Sequence, residues 1–280
     1  MTREGKLYVV ATPIGNLGDI TSRAVETLRT ADRIAAEDTR QTRKLLSHLG
    51  IAGKPLEALH AHSSARDVER LVERLANGES IALVSDAGTP VVSDPGDTLV
   101  RAAIAAGVSV VPVPGASAVL AALVASGLAD GHGFRFIGFL PREGTARRDA
   151  IATACATAEP TILYESPERT RATLTELAEA TPERPACVAR ELTKLHEELV
   201  RGTIQELAAR EEWRGEVVIV LGPYSPSRRA ETVDDTAIDA RIDRELGAGA
   251  HAKTIAERIA AWSGRSKREI YERVVARKQR

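Results

Sequence analysis

Short apolar runs alternate with amphipathic stretches through the first half of the chain. Runs of four or five mostly apolar residues predict β-strands at 7–11, 33–36, 56–59, 81–84 and 109–113. Apolar positions at helical spacing predict helices near 21–31, 42–49, 64–76, 97–106 and 117–126. Strands and helices that alternate in this way are typical of a mainly parallel sheet covered on both faces. The first half is therefore predicted to be an α/β domain.

The alternation breaks at residues 129–133, and strands follow one another more closely after that point. Apolar runs predict strands at 134–140, 161–164, 186–190, 196–201 and 217–221. Helices are predicted at 145–158 and after Ser166 and Thr203. Because some of these strands have no helix between them, the second sheet is predicted to be mixed.

Residues 222–229 have the composition of a linker, and three helical patterns follow near 233–246, 252–262 and 267–278. The predicted organisation is an N-terminal α/β domain at 1–128, a second α/β domain at 129–222, and a linker with a small helical domain at 223–280. Residues 251–280 hold nine Lys or Arg against three acids. That excess suits contact with RNA, but it is equally typical of a solvated helix face, and both interpretations stay open.

Polar residues mark the starts of several predicted helices. Ser166, followed by a proline, is predicted to be an N-cap. Thr203 with Glu206, and Ser266 with Glu269, have the spacing of a capping box.

The composition excludes several classes of protein. The 280 residues carry a net charge of −1, so a nucleic-acid partner would have to be met by a local basic patch. The two cysteines, Cys155 and Cys187, form no metal pattern or disulfide framework, and Cys187 is predicted to be buried in a strand. We find no signal peptide and no apolar run long enough to span a membrane, so a cytoplasmic protein is expected.

Four loops follow predicted strands of the first domain, at 12–19, 37–40, 85–90 and 112–118. Three of them, 12–19, 85–90 and 112–118, contain glycine and proline where the backbone must be stiff or approach a ligand closely, whereas 37–40 carries two acids and an arginine. Ligands of open α/β sheets bind at the carboxyl ends of the strands, so these loops are predicted to line one cleft. No G-x-G-x-x-G or Walker motif is present, which argues against a common dinucleotide or nucleoside triphosphate site.

Charged residues follow two strands of the second half, at Glu165 and at Arg190, Glu191 and Lys194. They could contact a substrate or form salt bridges between the domains, and the sequence leaves both interpretations open. His60 and His62 alternate after a strand, but no further ligand spacing supports a metal site, so no metal is predicted.

Taken together and in order, these motifs resemble the small-subunit ribosomal RNA methyltransferases of the tetrapyrrole-methylase superfamily. The resemblance covers residues 6–222 and depends on short segments in a fixed order, namely 12–17, 36–40, 84–90, 94–96, 114–115, 138–141, 164–166, 189–194 and 214–216. It implies two α/β domains with S-adenosylmethionine in the cleft between them. It also implies 2′-O-methylation of a cytidine, 1402 in rRNA numbering, in 16S rRNA of the small ribosomal subunit, by a homodimer.

The resemblance also implies roles for particular residues. The residues expected to contact the cofactor are Pro13, Ile14, Gly15, Ser85, Asp86, Ala87, Gly88, Thr89, Ser117, Ala118, Tyr164, Glu191, Gly215 and Glu216. A carboxylate or an amine within hydrogen-bond reach could take the proton of the ribose hydroxyl; Glu165 and Lys194 are the candidates, with Asp38 behind them, and the resemblance does not settle the choice. The residues expected to contact RNA are Arg40, Arg190, Arg265, Lys267 and Arg268. A neutral or basic cleft containing Arg40, Arg190 and Lys194 is predicted to hold the flanking phosphates.

Two other functions fit the same motifs. One is a methyltransferase that acts on a tetrapyrrole such as a precorrin, because one fold can serve many substrates. The other is a ribosome-assembly factor that binds rRNA without catalysis, which would need no cofactor cleft.

Overall fold

The protein is described here as a computed structural model, which covers residues 4–60, 62–224, 235–247, 250–263 and 265–278. The chain divides into two compact units, Met1–Pro223 and Tyr224–Arg280. The first unit contains two sheets, and the second contains helices. The predicted linker lies mostly within residues 225–234, which are outside the described residues.

The first sheet is entirely parallel, as predicted. Its strands are β1 (Lys6–Val10), β2 (Arg33–Ala36), β3 (Leu56–Ala58), β4 (Ile81–Val84) and β5 (Ser109–Val113), in the order β3-β2-β4-β1-β5. The intervening helices are α1 (Ser22–Thr30), α2 (Thr39–His48), α3 (Ala65–Ala76), α4 (Asp97–Ala105) and α5 (Ala118–Ser126). Separate apolar clusters fill the two faces of this sheet. Because the strands are parallel, the loops after β1, β2, β4 and β5 meet at one edge.

The second sheet is mixed, which confirms the prediction from its closely spaced strands. It contains β6 (Arg135–Phe139), β7 (Thr161–Glu165), β8 (Pro185–Arg190), β9 (Glu198–Thr203) and β10 (Val217–Leu221), in the order β6-β7-β10-β8-β9. Only the β6–β7 pair is parallel. The helices of this part are α6 (Gly144–Ala156), α7 (Pro167–Ala180) and α8 (Ile204–Ala208).

Helix α5 joins the two sheets into one unit. Val119, Ala122 and Leu123 on α5 pack in one cluster with Ile162 of β7 and Val220 of β10. The helix is apolar all round, so that part of its apolar surface, at Leu120 and Val124, is left exposed.

The second unit consists of α9 (Asp235–Gly247), α10 (Ala252–Ser263) and α11 (Lys267–Lys278). Its core is formed by aliphatic residues of all three helices, namely Ile238, Ile242, Ile255, Ile259, Ile270 and Val274. Arg273 and Arg277 of α11 form ion pairs with Asp235, Asp239 and Asp243 of α9. The basic excess of the last 30 residues is thus partly neutralised by acids that precede it in the chain.

The helices after Ser166, Thr203 and Ser266 begin where they were predicted to begin, but not every predicted capping hydrogen bond is formed. Thr203 and Glu206 form both hydrogen bonds of a capping box, and the Glu269 backbone N–H donates to the Ser266 hydroxyl. Ser166 precedes α7 as predicted, yet its hydroxyl makes no capping hydrogen bond. The Glu165 carboxylate instead accepts the Ser166 backbone N–H, which puts a negative charge at the positive end of the helix dipole.

No helix in the described ranges is both long enough and apolar enough to cross a membrane.

Candidate functional site

A cleft of about 460 Å³ lies where the loops of the first sheet face the second sheet. This is the size of a typical small-molecule site. It is lined by Ile14, Glu37, Asp86, Ala87, Gly88, Thr89, Val92, Ser93, Asp94, Ser117, Ala118, Phe139, Tyr164, Glu165, Ser166, Pro167, Gly215, Glu216, Val217 and Val218.

The loops after β1 and β4 are tied together by backbone hydrogen bonds. The Thr12 N–H donates to the Gly88 carbonyl at 2.9 Å, and the Gly88 N–H donates back to Thr12 at 3.0 Å. Gly88 has φ of +79°, a conformation that L side chains rarely adopt, and a Cβ there would lie 3.3 Å from Ile14. Glycine at this position therefore keeps the backbone of the cleft floor accessible to a ligand.

The loop after β4 also contains two residues in strained backbone conformations. Val91 and Ser93 have φ of 74° and 68°, in the left-handed region that a β-branched residue almost never occupies. The other two non-glycine residues with positive φ among those described are Glu191 and Thr193, in a loop of the second sheet. Strained residues persist where the surrounding structure holds them, and they cluster at functional sites. Here all four lie in loops around the cleft.

Carboxylates join the β2 loop to the β4 loop. The Asp38 N–H donates to Asp86 Oδ1 at 3.0 Å, and the Asp86 N–H donates to Glu37 Oε2 at 3.3 Å. Asp38 is also the N-cap of α2 and pairs with Arg40 at 3.0 Å. Hydrogen bonds from Arg40 lower the pKa of Asp38, so this carboxylate has little tendency to take up a proton.

The cleft is acidic. Five carboxylates line it, from Glu37, Asp86, Asp94, Glu165 and Glu216, and no Lys, Arg or His of the described residues lines it. The prediction of a neutral or basic cleft is therefore wrong. The cationic residues expected there, Arg40, Arg190 and Lys194, lie outside the lining. A cleft of this charge favours a cationic ligand and disfavours phosphate.

Asp94 is a half-buried acid of the cleft lining, and its pKa is raised. Burial, together with the nearby negative charges of Glu37 and Asp86, raises the pKa of Asp94 to about 6, against a hydrogen bond with Ser85 that lowers it. Tyr164 lies close by, and burial, with the charge of Asp94, raises the pKa of that phenol to about 12. Near pH 7 Asp94 is thus ionised but ready to accept a proton.

Glu165 lines the cleft, but its carboxylate is fully engaged. Oε1 accepts from Arg169 Nε at 2.7 Å and from the Ser166 N–H at 2.9 Å, and Oε2 accepts from the Thr173 hydroxyl at 2.7 Å. Arg147 lies 3.8 Å from the same carboxylate, and the Glu165 side chain is buried. This arrangement suits a structural anion at the start of α7 better than a proton acceptor.

Lys194 lies beside the cleft, paired with two glutamates. Its Nζ is 3.0 Å from Glu191 Oε1 and 3.1 Å from Glu216 Oε2. Burial lowers the pKa of Lys194, but the hydrogen bonds to these glutamates outweigh it and leave that pKa raised. The side chain crosses Gly15 of the β1 loop, where a Cβ would lie only 2.5 Å from Lys194 Cγ. Lys194 therefore packs the two halves of the unit together as a permanent cation.

Arg190 lies in a second pocket, of about 440 Å³, lined by Arg190, His196, Arg210, Glu212 and Arg214. Its Nη1 is 3.3 Å from Glu198, which also pairs with Arg210. Because Gly215 and Glu216 line the cleft while Arg214 lines this pocket, the acidic and basic sites adjoin along the chain.

The other RNA-contact candidates lie elsewhere. Arg40 is exposed at the start of α2. Arg265, Lys267 and Arg268 belong to the second unit, where they pair with Glu269, Glu257 and Glu272. Arg268 is 90% exposed in spite of its pair, and so remains accessible to a partner.

Most of the predicted cofactor residues lie together. Ten of them line the cleft, namely Ile14, Asp86, Ala87, Gly88, Thr89, Ser117, Ala118, Tyr164, Gly215 and Glu216. Four lie just outside it, namely Pro13, Gly15, Ser85 and Glu191. The residues that we did not predict are Glu37, Val92, Ser93, Asp94, Phe139, Ser166, Pro167, Val217 and Val218. Several of these belong to motifs noted above, in particular 94–96 and 138–141, which could have drawn attention to Asp94 and Phe139.

Metal and thiol chemistry find no support in the described part of the chain. No group of three or more His, Cys, Asp or Glu residues there is placed to hold a metal ion. Cys155 and Cys187 are both buried and free, and burial raises the pKa of each thiol. The prediction that Cys187 is a buried strand residue is confirmed.

The chain matches a known protein family and several named proteins in sequence. A family profile described as Tetrapyrrole (Corrin/Porphyrin) Methylases matches residues 6–208. Ribosomal RNA small subunit methyltransferase I of Halalkalibacterium halodurans is 44% identical over 96% of this chain and 94% of its own. The protein of the same name from Xylella fastidiosa is 47% identical over 92% and 96%.

Solved structures share the fold. Uroporphyrin-III C-methyltransferase from Thermus thermophilus, complexed with S-adenyl homocysteine, superposes with a TM-score of 0.56 at 21% identity, over 78% of this chain and 97% of that one. At that identity the likeness concerns the fold alone.

Proposed function

Because this chain belongs to the tetrapyrrole methylases, and within them to the ribosomal RNA small subunit methyltransferase I family, we propose that it methylates small-subunit ribosomal RNA with S-adenosylmethionine. The observation that carries this proposal is the acidic cleft at the carboxyl edge of the parallel sheet. Relatives at 44% and 47% identity, matched over nearly their whole length, are named for rRNA of the small subunit. The tetrapyrrole enzyme among the solved structures is only 21% identical, so rRNA is the better-supported substrate.

The residues of the cleft fit S-adenosylmethionine. This cofactor carries a sulfonium, an ammonium and a carboxylate group. Its two cations match the carboxylates of Glu37, Asp86 and Asp94, which are left once Glu165 is paired with Arg169 and Glu216 with Lys194. Small residues on both sides, such as Ala87, Gly88 and Gly215, leave the backbone open to hydrogen bonds. We propose that the predicted contact residues that line the cleft, with Asp86 foremost, hold the cofactor there.

Asp94 is our proposal for the group that takes the proton of the ribose hydroxyl. When bound, S-adenosylmethionine supplies an electrophilic methyl group, so the protein must mainly orient the hydroxyl and remove its proton. Of the earlier candidates, Glu165 and Asp38 are held by arginine, and Lys194 is a stable cation. Asp94 lines the cleft, is half-buried and has a pKa of about 6, close to the value that suits a general base.

The RNA backbone must be bound outside the acidic cleft. We propose that the adjoining pocket holds a phosphate beside the target nucleotide, because its three arginines, Arg190, Arg210 and Arg214, outnumber the two glutamates, Glu198 and Glu212, with which they pair. We propose that Arg40 of the first unit and, separately, the exposed cationic side chains of the second unit, such as Arg268, also contact the RNA. Within small-subunit rRNA, we propose that the methylated group is the 2′-hydroxyl of cytidine 1402 of 16S rRNA.

Mass-spectrometric mapping of rRNA tests the whole proposal. Small subunits from cells that lack the protein should gain one 2′-O-methylated cytidine when incubated with the purified chain and S-adenosylmethionine. A porphyrinogen offered in parallel should remain unmodified. Methylation of the porphyrinogen alone would favour the tetrapyrrole alternative, and cofactor-independent binding without turnover would favour an assembly factor.

Gly215→Ala should weaken binding of S-adenosylmethionine about tenfold. Gly215 has φ of +77°, and a Cβ there would overlap the side chain of Glu191. Glu191 cannot move freely, because Oε1 holds the Glu216 N–H at 2.9 Å and Lys194 Nζ at 3.0 Å. The displaced loop should distort the cleft, and titration calorimetry measures the loss.

Gly50→Ala is the matched control for Gly215→Ala. Gly50 has φ of +65° but nothing within 4 Å of its Cβ position, so alanine adds backbone strain there without a clash. Equal cofactor affinity in the two variants would contradict the role that we assign to Gly215.

Deletion of residues 225–280 should reduce affinity for the small subunit at least tenfold while cofactor affinity stays within about twofold. The cleft lies wholly in the first unit, and the second unit is separately compact. Loss of its exposed cations should also flatten the dependence of binding on salt. Filter binding at several salt concentrations and calorimetry provide the two measurements. Parallel loss of both affinities would count against an RNA role for the helical unit.

We also propose that the chain forms a homodimer in the cytoplasm, where its rRNA substrate is. Leu120 and Val124 lie one turn apart on α5 and are 50% and 75% exposed, an apolar surface that favours association. Light scattering should give twice the chain mass of 30.0 kDa, and a monomer at micromolar concentration would contradict it. Cell fractionation checks the compartment.

A further inference from the structure

Phe139 is an exposed aromatic ring in a chain that has few. Aromatic residues make up 3% of the sequence, yet Phe139 lines the cleft and is 59% exposed. Val92, which also lines the cleft, is 40% exposed. A large apolar side chain held at the mouth of a charged site indicates contact with an apolar part of a ligand.

An irregularity in β6 aims this ring into the cleft. Phe136 pairs with Ile162 of β7, and Phe139 pairs with Tyr164, so three steps on β6 match two on β7. In a regular strand Phe136 and Phe139 would point to opposite faces, since side chains alternate. The extra residue puts both on the face of Tyr164, and Gly138, with φ of +67°, lies within this bulge. Bulges are found beside active sites, where they redirect a side chain.

Tyr164 holds the ring in place from one side. The Tyr164 ring lies 5.0 Å from Phe136 at 69° and 5.4 Å from Phe139 at 57°, both centroid to centroid. The Tyr164 ring therefore packs against Phe139 at an angle and leaves much of the Phe139 ring uncovered, in agreement with its exposure. The ring is thus positioned before any ligand arrives.

The ring also lies next to the loop that carries Asp94. A Cβ on Gly138 would be 3.1 Å from the Ser93 hydroxyl, so the β6 bulge touches the residue before Asp94. The carboxylates of the cleft disfavour a phosphate at this point. A flat, uncharged heteroaromatic ring suits it, and a ribose attached to such a ring would then lie near Asp94.

We propose that Phe139, together with Val92 of the same cleft lining, forms the subsite on which the target nucleobase of the rRNA stacks. This inference rests on the proposed function, because it assumes that an RNA nucleotide enters the cleft. Nucleobases that leave an RNA fold are commonly stacked on aromatic side chains, which recognise the flat face of any base. The subsite therefore positions the ribose hydroxyl, whereas the cofactor is held by other residues of the same cleft.

Three variants test the subsite in methylation of small subunits. Phe139→Ala should lower kcat/KM for small subunits about tenfold and leave the affinity for S-adenosylmethionine unchanged. Phe139→Trp, which keeps an aromatic face, should stay within threefold of the wild type. Phe134→Ala is the control, since Phe134 is 41% exposed one residue before β6 but does not line the cleft, and it should have no effect.

Subunits reconstituted with an abasic ribose at the target position separate stacking from general damage. The wild type should lose about tenfold in kcat/KM on this substrate, while Phe139→Ala should lose nothing further, because the two changes remove the same contact. Additive losses would overturn the proposal. So would a loss of S-adenosylmethionine affinity in Phe139→Ala, since the ring would then serve the adenine of the cofactor. If the wild type methylates no small subunit at all, the proposed function itself fails.

Discussion

Asp94→Asn is expected to lower kcat for small-subunit methylation about 100-fold, which equals about 2.7 kcal/mol of transition-state stabilisation. Asparagine has nearly the same shape but cannot accept the ribose proton. Because the ionised form of Asp94 is the active one, kcat/KM of the wild type should fall about tenfold per unit as the pH drops below about 6. The variant should lack this dependence. Initial rates of methyl transfer between pH 5 and 8 measure both effects.

Asp97→Asn is the matched control for Asp94. Asp97 lies three residues further on, is exposed, pairs with Arg101 and does not line the cleft. Its variant should retain the rate and the pH profile of the wild type. If Asp94→Asn stays within threefold of the wild type in kcat, another group takes the proton.

The stability of Asp94→Asn provides an independent check on its raised pKa. The folded pKa of about 6 exceeds the ordinary value of 3.8, so the native state keeps this proton at a higher pH than the unfolded chain does. The proton therefore contributes stability below about pH 4, and this is lost as the pH rises through about 6. Asp94→Asn should unfold at a higher temperature than the wild type at pH 8, with the difference shrinking at pH 4.5.

Arg184→Met is expected to lower the free energy of unfolding of the first unit by about 3–5 kcal/mol. The Arg184 side chain is fully buried, and it donates to the backbone carbonyls of Gly222 and Ala154 at 2.7 Å, and of Thr157 and Glu159 at 3.2 and 3.3 Å. It thus satisfies the end of α6 and the segment after β10. Methionine fills the volume but removes all of these hydrogen bonds, and the Glu159 carbonyl then keeps only the Thr161 hydroxyl, at 3.1 Å, as a side-chain donor.

Thermal unfolding of the full chain should show the loss as a drop of roughly 10 °C in the midpoint. Arg184→Lys should recover only part of it, because an ammonium group cannot reach all four carbonyls with the planar fork of a guanidinium. Arg101→Met, at an exposed arginine of α4 with a single ion pair, should change the midpoint by less than about 2 °C. A similarly small change for Arg184→Met would contradict the role assigned to it.

Most of the fold could be predicted because local pattern and burial agree in it. Each residue of β4, Ile81–Val84, is apolar and buried, and the closely spaced strands of the second half form the mixed sheet expected of them. The bulge in β6 was not predicted, although Gly138 interrupts the apolar run; that Phe136 and Phe139 share a face is shown only by their pairing with β7. At Ser166 the start of α7 was predicted correctly but its cap was not. The Glu165 carboxylate, and not the Ser166 hydroxyl, accepts a backbone N–H there.

The candidate site was predicted in position but not in charge. The prediction of a neutral or basic cleft counted Arg40, Arg190 and Lys194 as free cations. In the structure Arg40 is held by Asp38, Arg190 by Glu198, and Lys194 by Glu191 and Glu216. These pairs are local for Arg40 with Asp38 and for Lys194 with Glu191, and join distant segments only for Lys194 with Glu216, but each neutralises a charge that was counted as free.

The sequence by itself determined the strands, the helices, the stiff loops at the strand ends and the resemblance to a family, because these depend on short-range patterns and ordered motifs. Only the tertiary structure decided which charges line the cleft and which carboxylate can accept a proton. The reason is physical: the titration of Asp94 depends on burial and on Glu37 and Asp86, and the exposure of Phe139 depends on a register shift against β7. Burial, pairing and register are properties of residues brought together by folding.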